Sequence, residues 1–195
     1  MFAAFKKALD QSFDPAFRRV FLRSALASLV TFLILWGLCW LTLDWVGALL
    51  DEWLQTAGVN TLRPEIEVDG AGQVTRFAVL QTAHPDYPTI RPHRMAVGFY
   101  DLKDGALTRT HRHELDVDGD RTEVPELRGI RRPDLVLLND DDLAYAKIRL
   151  DERSLATAVE GLSQLDDSLA RAILWGAAWD MTRDAEMPAS AFVTL

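Results

Sequence analysis

The sequence has a single cysteine, Cys39, which excludes an intrachain disulfide and any cysteine-based metal site. It has only four histidines, and no stretch rich in Gly, Pro or Ser that would serve as a flexible linker. Positive charge is scarce after the first fifty residues: residues 51–195 hold 16 Lys/Arg against 26 Asp/Glu, so that part is acidic. A nucleic-acid partner is thereby disfavoured, because binding to one rests on neutralised phosphates. With 49% apolar and 26% charged residues, the chain has the make-up of a folded protein.

What the sequence does have is one long run without charge. Ser24–Leu43 is 20 residues bounded by Arg23 and Asp44, long enough as a helix to cross a bilayer core of about 30 Å. Seven Leu with Val30, Phe32 and Ile34 contribute roughly −3 to −6 kcal/mol to insertion. Trp36, Trp40 and Trp45 fall toward the C-terminal end, where an interfacial aromatic belt sits. The run is longer than a signal-peptide core and lacks an A-x-A-like site after it. Lys6, Lys7, Arg18, Arg19 and Arg23 precede the run, and Asp44, Asp51 and Glu52 follow it. The positive-inside bias predicts a single-pass protein with a cytoplasmic N-terminus, whose lipid contact is Ser24–Leu43. Phe2, Phe5, Ala8 and Leu9 recur at helical spacing, and Asp14-Pro15 reads as a cap with proline at the first helical position.

After Trp53 the period changes to that of strands. Asp69-Gly70 separates Glu65–Val68 from Gln73–Gln81, and Asp104-Gly105 separates Arg94–Leu102 from Ala106–Leu115. Asp118-Gly119 separates Glu114–Val117 from Arg121–Val124. Each Asp-Gly pair predicts a hairpin, since glycine accepts a positive φ. With Asp134–Leu138 and Ala146–Leu150, about seven short strands predict a β-sandwich. Leu155, Ala158, Val159 and Leu162 then fit one helix. Ala170, Ile173, Leu174, Ala177, Ala178 and Met181 fit a second, capped by Asp167 or Ser168. A third begins near Pro188, with Phe192, Val193 and Leu195 expected to lack a packing partner. The fold class is α+β: an N-terminal transmembrane helix, an all-β sandwich, and the first helices of a truncated helical array. The expected boundaries are 1–52, 53–150 and 151–195.

Two family resemblances attach to these segments. Phe13-Asp14-Pro15-Ala16-Phe17-Arg18-Arg19-Val20, leading into the Leu/Trp-rich run, resembles the N-terminus of the etoposide-induced/CysZ membrane family. That family has several spans, so the single span here does not bring transport with it. The second resemblance runs from Trp53 to the end. Trp53–Leu62, His84–Arg94, Glu114–Val117, Pro133–Asp140, Tyr145–Asp151 and Ala178–Met187 are similar to segments of aminopeptidase N of the actinobacterial kind. This implies the family's β-sandwich and the opening of its C-terminal helical domain.

That family consists of zinc peptidases with H-E-x-x-H and Gly-x-Met-Glu-Asn. The only His-Glu here, His113-Glu114, continues Leu115-Asp116-Val117, so the second histidine is missing, and no Gly-x-Met-Glu-Asn occurs. Catalytic zinc needs three protein ligands and a Glu as base, so we assign no catalytic, metal or cofactor-binding residue, and zinc belongs to the intact family only. His111 and His113 share a strand face and could supply two metal ligands, or simply form a polar face. Asp116, Asp118 and Asp120 imitate the start of an EF-hand loop, but Arg121 replaces its Gly and Leu127 its Glu. Asn139–Asp142 reads as a polar turn or a cation site. Gly70-Ala71-Gly72 lacks the third glycine of a dinucleotide loop. The leading expectation is a membrane-tethered, non-catalytic scaffold. The alternatives are a CysZ-like membrane protein with a passenger domain, or a chimeric or truncated product joined near Asp51. Partners beyond lipid would be a second copy or a peptidase catalytic domain.

Overall fold

A computed structural model describes residues 15–50 and 56–195, in two compact units, Met1–Gln55 and Thr56–Leu195. The expected helix before Asp14 and the segment Asp51–Gln55 lie outside the described residues.

In the first unit, helix α1 runs from Pro15 to Leu50, well beyond the uncharged run at both ends. Its stretch Arg18–Gly47 is long and apolar enough to cross a membrane, a test that a signal sequence near the N-terminus also passes. The hydroxyls of Ser24, Thr31 and Thr42 donate to the carbonyls of Phe21, Ala27 and Cys39 within the same helix, so they bring no unpaired donor into an apolar setting.

The second unit contains two sheets. Strands β1 (Thr61–Val68), β2 (Val74–Thr82), β5 (Arg121–Glu123) and β7 (Lys147–Ile148) form one, in the order β5-β2-β1-β7. Strands β3 (His93–Lys103), β4 (Ala106–Val117) and β6 (Leu135–Asp140) form the other, in the order β4-β3-β6. The two predicted hairpins β1–β2 and β3–β4 are present. Asp104 and Gly105 both take positive φ, as a two-residue primed turn requires. In the β1–β2 loop the positive φ falls on Gly72, and the Asp69 carboxylate accepts from the N–H groups of Ala71 and Gln73. The Gly70-Ala71-Gly72 segment is therefore a hairpin loop.

Asp118-Gly119 corrects the third expectation. It joins no hairpin, because β5 pairs with β2 and not with β4. The chain crosses here from one sheet to the other. The turn dipeptide is used, with Gly119 at φ 73°, but the partner of the next strand is chosen by burial across the sandwich.

The core lies between the sheets, with Leu62, Phe77 and Val79 from the first and Val97, Phe99, Leu115 and Val117 from the second all buried. Phe77 and Phe99 approach to 6.0 Å between centroids. Strand β6 is buried on both faces, which is why Leu135-Val136-Leu137-Leu138 does not alternate. Helices α2 (Glu152–Gly161) and α3 (Ser168–Arg183) pack against it. The open edge of β6 is satisfied from α2: the Val136 N–H donates to Ser154 Oγ at 2.9 Å, and Thr157 Oγ1 donates to the Asp134 carbonyl at 2.8 Å. An edge strand is thus closed by hydroxyls one helical turn apart.

Asp151 caps α2, Asp167 caps α3, and a short helix α4 (Ala189–Thr194) follows Pro188. The expectation that α4 lacks a partner is corrected in part. Phe192 stacks edge-on against Trp175 at 5.2 Å and tilted against Trp179 at 5.5 Å, while Val193 stays 84% exposed.

Candidate functional site

The residues singled out from the sequence do not converge. His111 lies on β4 with its ring 5.8 Å from Phe99, and His113, two residues on, places Nε2 3.8 Å from Glu126. Asp116 pairs with Arg94 at 3.1 Å, and Asp118 exchanges hydrogen bonds with Thr122 at the sheet-to-sheet corner. Among the described residues no group of three or more His, Cys, Asp or Glu side chains is placed to hold a metal. These side chains do not come together as the three ligands that a catalytic zinc requires.

Asn139–Asp142 is a turn, but Asp140 within it is no surface feature. Asn139, Asp141 and Asp142 all take positive φ, an unusual run for residues other than glycine. The Asn139 side chain holds this backbone in place: its Oδ1 accepts from the Ala144 N–H and its Nδ2 donates to the Ala144 carbonyl, both at 2.8 Å. The turn drives Asp140 inward, where it is 1% exposed and accepts from Tyr100 Oη at 2.7 Å and Arg109 at 2.9 Å. Burial, with the Asp140 carboxylate as hydrogen-bond acceptor, pushes the Tyr100 phenol far above its ordinary range.

Asp140 ends a row of alternating charges on the face of the second sheet that points away from the core. Arg109 also reaches Asp141 at 2.9 Å, Arg112 joins Asp141 to Glu114, and Arg94 joins Glu114 to Asp116. Hydrogen bonds from Arg112 and Arg109 hold Asp141 below the usual carboxylate range, and those from Arg112 and Arg94 do the same for Glu114. Every acid in this row has a basic partner.

A second cluster ties the first sheet to the helices. Arg149, directly after β7 and 3% exposed, donates to Glu186 at 2.9 Å and to Asp184. Lys147 reaches Asp184 at 2.7 Å, and Arg63 on β1 reaches Glu186 at 2.6 Å. The Lys147 hydrogen bond, with Arg149 beside it, lowers Asp184 to about 2. Burial alone would raise Glu186, but Arg149 and Arg63 outweigh it and bring it down. A third cluster lies where the described chain enters the first sheet. Asn60 Oδ1 accepts from the Arg91 N–H, and the Arg91 guanidinium donates to the Gly58 and Thr56 carbonyls. Burial and the nearby Arg91 lower the His93 pKa.

None of these clusters was assigned from the sequence, although signals for them were present. Tyr145–Asp151 and Ala178–Met187, two of the segments carrying the aminopeptidase N resemblance, supply Lys147, Arg149, Asp184 and Glu186. Trp53–Leu62 and His84–Arg94 supply Asn60, Arg91 and His93. Pairs of such segments each hold half of one polar cluster.

Two sheets are thus followed by helices that the buried Arg149 holds through Asp184 and Glu186. Residues 135–195 match the model of the ERAP1-like C-terminal domain, which begins here at β6. Aminopeptidase N of Streptomyces lividans is 55% identical over 151 residues, covering 73% of this chain and 18% of that protein. Over this stretch the chain is homologous to aminopeptidase N, and it spans about a fifth of the relative's length. Neither match supports the CysZ resemblance of residues 1–50.

Proposed function

We propose that this chain is a non-catalytic structural module related to the C-terminal region of aminopeptidase N, tethered to a membrane by α1. In this reading residues 1–52 are the tether, 53–150 the sandwich and 151–195 the start of a helical domain. What supports this reading is the 55% identity to aminopeptidase N over 151 residues, the match of residues 135–195 to the ERAP1-like C-terminal domain, and the pairing of the charged groups of this unit with one another. Arg149, held by Asp184 and Glu186, sets the helices against the sheet, which is a positioning task. The basic residues before the apolar run support a cytoplasmic N-terminus in this reading.

The test is release of chromophore from alanyl and leucyl p-nitroanilides by the purified full chain, with and without added zinc. No release is expected. Release that a chelator abolishes would overturn the proposal.

A further inference from the structure

Of the three Asp-Gly pairs in the sequence, two close hairpins and the third, Asp118-Gly119, carries the chain from one sheet to the other. Asp-Gly is also the pair at which a main chain rearranges most readily, because glycine has no Cβ to obstruct its own nitrogen. The glycine N attacks the side-chain carboxyl carbon of the aspartic acid, water leaves, and a five-membered succinimide closes. Water then reopens the ring at either carbonyl. One opening restores aspartate; the other gives isoaspartate, in which the main chain runs through Cβ and Cγ. One water is lost and one regained, so mass is unchanged and no other reactant is needed. Closure requires a carboxyl free to turn back along the chain and a following peptide free to rotate. All three aspartates are exposed, so solvent access does not separate them; hydrogen bonding does.

The Asp69 carboxylate accepts from the N–H groups of Ala71 and Gln73 at 2.9 and 2.8 Å, and its carbonyl accepts from the Gly72 N–H at 3.0 Å. Asp104 and Gly105, at φ 52° and 80°, are the two residues of a primed turn closed by the Lys103–Ala106 pair. Rotating the peptide between them opens the end of the β3–β4 ladder. Asp118 differs from both. Among the described residues neither its carboxylate nor the Gly119 N–H has a hydrogen bond, and its carbonyl is held by one side chain, Thr122 Oγ1, at 3.1 Å. We propose that Asp118-Gly119 is a site of spontaneous isoaspartate formation in the folded protein, and that the change releases β5 from the first sheet. Val117 is buried at the end of β4, and the Gln81 N–H donates to the Asp120 carbonyl at 2.9 Å. One additional main-chain carbon must therefore fit between two fixed points. Strand β5 is three residues long, and its ladder to β2 is what gives way.

The test incubates the full chain in detergent at physiological temperature and mildly acidic pH, beside a sample unfolded in urea. Isoaspartate is located by digestion and electron-transfer fragmentation, which separates the isomers. In the folded chain it should form at 118 at least about fivefold faster than at 69 or 104, since each further hydrogen bond that must open slows closure by roughly that factor. In urea the three sites should react at similar rates. Thr122→Val keeps the side-chain shape without the hydroxyl and should speed reaction at 118 by about the same factor. Asp118→Glu, which cannot close a five-membered ring, should form no such product there and should keep its β5 amides protected with age. In the isoaspartate fraction of the aged parent, the Gln81 and Val124 amides should exchange faster. Formation first at 69 or 104, equal rates at all three sites in the folded chain, none at 118 while the urea sample forms it, or an unchanged rate in Thr122→Val overturns the assignment. Isoaspartate at 118 with unchanged exchange at Gln81 and Val124 overturns the release of β5.

Discussion

Replacing Gly98 with alanine tests the description of the second sheet most directly. Gly98 sits in β3, and a Cβ there would lie 2.7 Å from Asp140 Cγ and 2.8 Å from Tyr100 Cε2. Neither neighbour is a free side-chain end. The Asp140 carboxylate is pinned by Tyr100 and Arg109, and the Tyr100 ring is 1% exposed. Overpacking a tight site costs about 1–3 kcal/mol, and displacing a buried, paired carboxylate from its donors moves the total to the upper end or beyond. We expect about 3 kcal/mol. For a unit of this size that is a fall in Tm of roughly 6–12 °C. Urea unfolding of the full chain in detergent, followed by tryptophan fluorescence, reads the change as a lower midpoint at constant slope. Gly70→Ala is the control, since nothing lies within 4 Å of a Cβ there and its φ is not positive; it should stay within about 0.5 kcal/mol. If Gly98→Ala proves as stable as the parent, Asp140 is not packed against this glycine and the account of the charged row is wrong.

Arg149→Met should cost about 3 kcal/mol, because Asp184 and Glu186 lose a buried partner, and should loosen α3 and α4 as read by hydrogen exchange. Arg94→Ala, at an exposed position in the charged row, should stay within about 1 kcal/mol in the same unfolding assay. Asp184 titrates at about 2 when folded, below its ordinary 3.8. Its stabilising contribution is therefore complete above about pH 4 and is lost as pH falls toward 2. Asp184→Asn should flatten the pH dependence of the unfolding midpoint over that window, and an unchanged slope would refute the clasp. Asn139→Ala should cost about 2–3 kcal/mol, since it leaves both Ala144 backbone groups without their partner and puts alanine at φ 57°.

Local chemistry was legible in the sequence wherever one segment decided the outcome. The uncharged run made a helix, because in a mostly apolar stretch of twenty residues a helix satisfies the backbone polar groups from within. Asp104-Gly105 made its hairpin, since two positive φ values in sequence are a property of the dipeptide. Asp167 capped α3 as its position suggested, with its carboxylate accepting from the N–H groups of Leu169 and Ala170.

Asp118-Gly119 shows where such reading stops. The dipeptide determined that the chain turns, but not that Arg121–Glu123 would join β2 in the other sheet. That choice depends on which inner face the flanking Val117 and Val124 can both bury against, a property of two sheets together. The polar clusters follow the same rule. Arg63 and Glu186 stand 123 residues apart, Arg149 and Glu186 37, and Tyr100 and Asp140 40. No spacing or period connects such residues; only packing brings a charge out of water beside its partner, where it must be paired. By itself the sequence determined an apolar helix, about seven strands and three further helices, and residues 1–195 contain no H-E-x-x-H. The tertiary structure alone decided that Asp140 and Arg149 are buried, which groups hold them, and that Phe192 packs on Trp175 and Trp179, because burial depends on the whole chain.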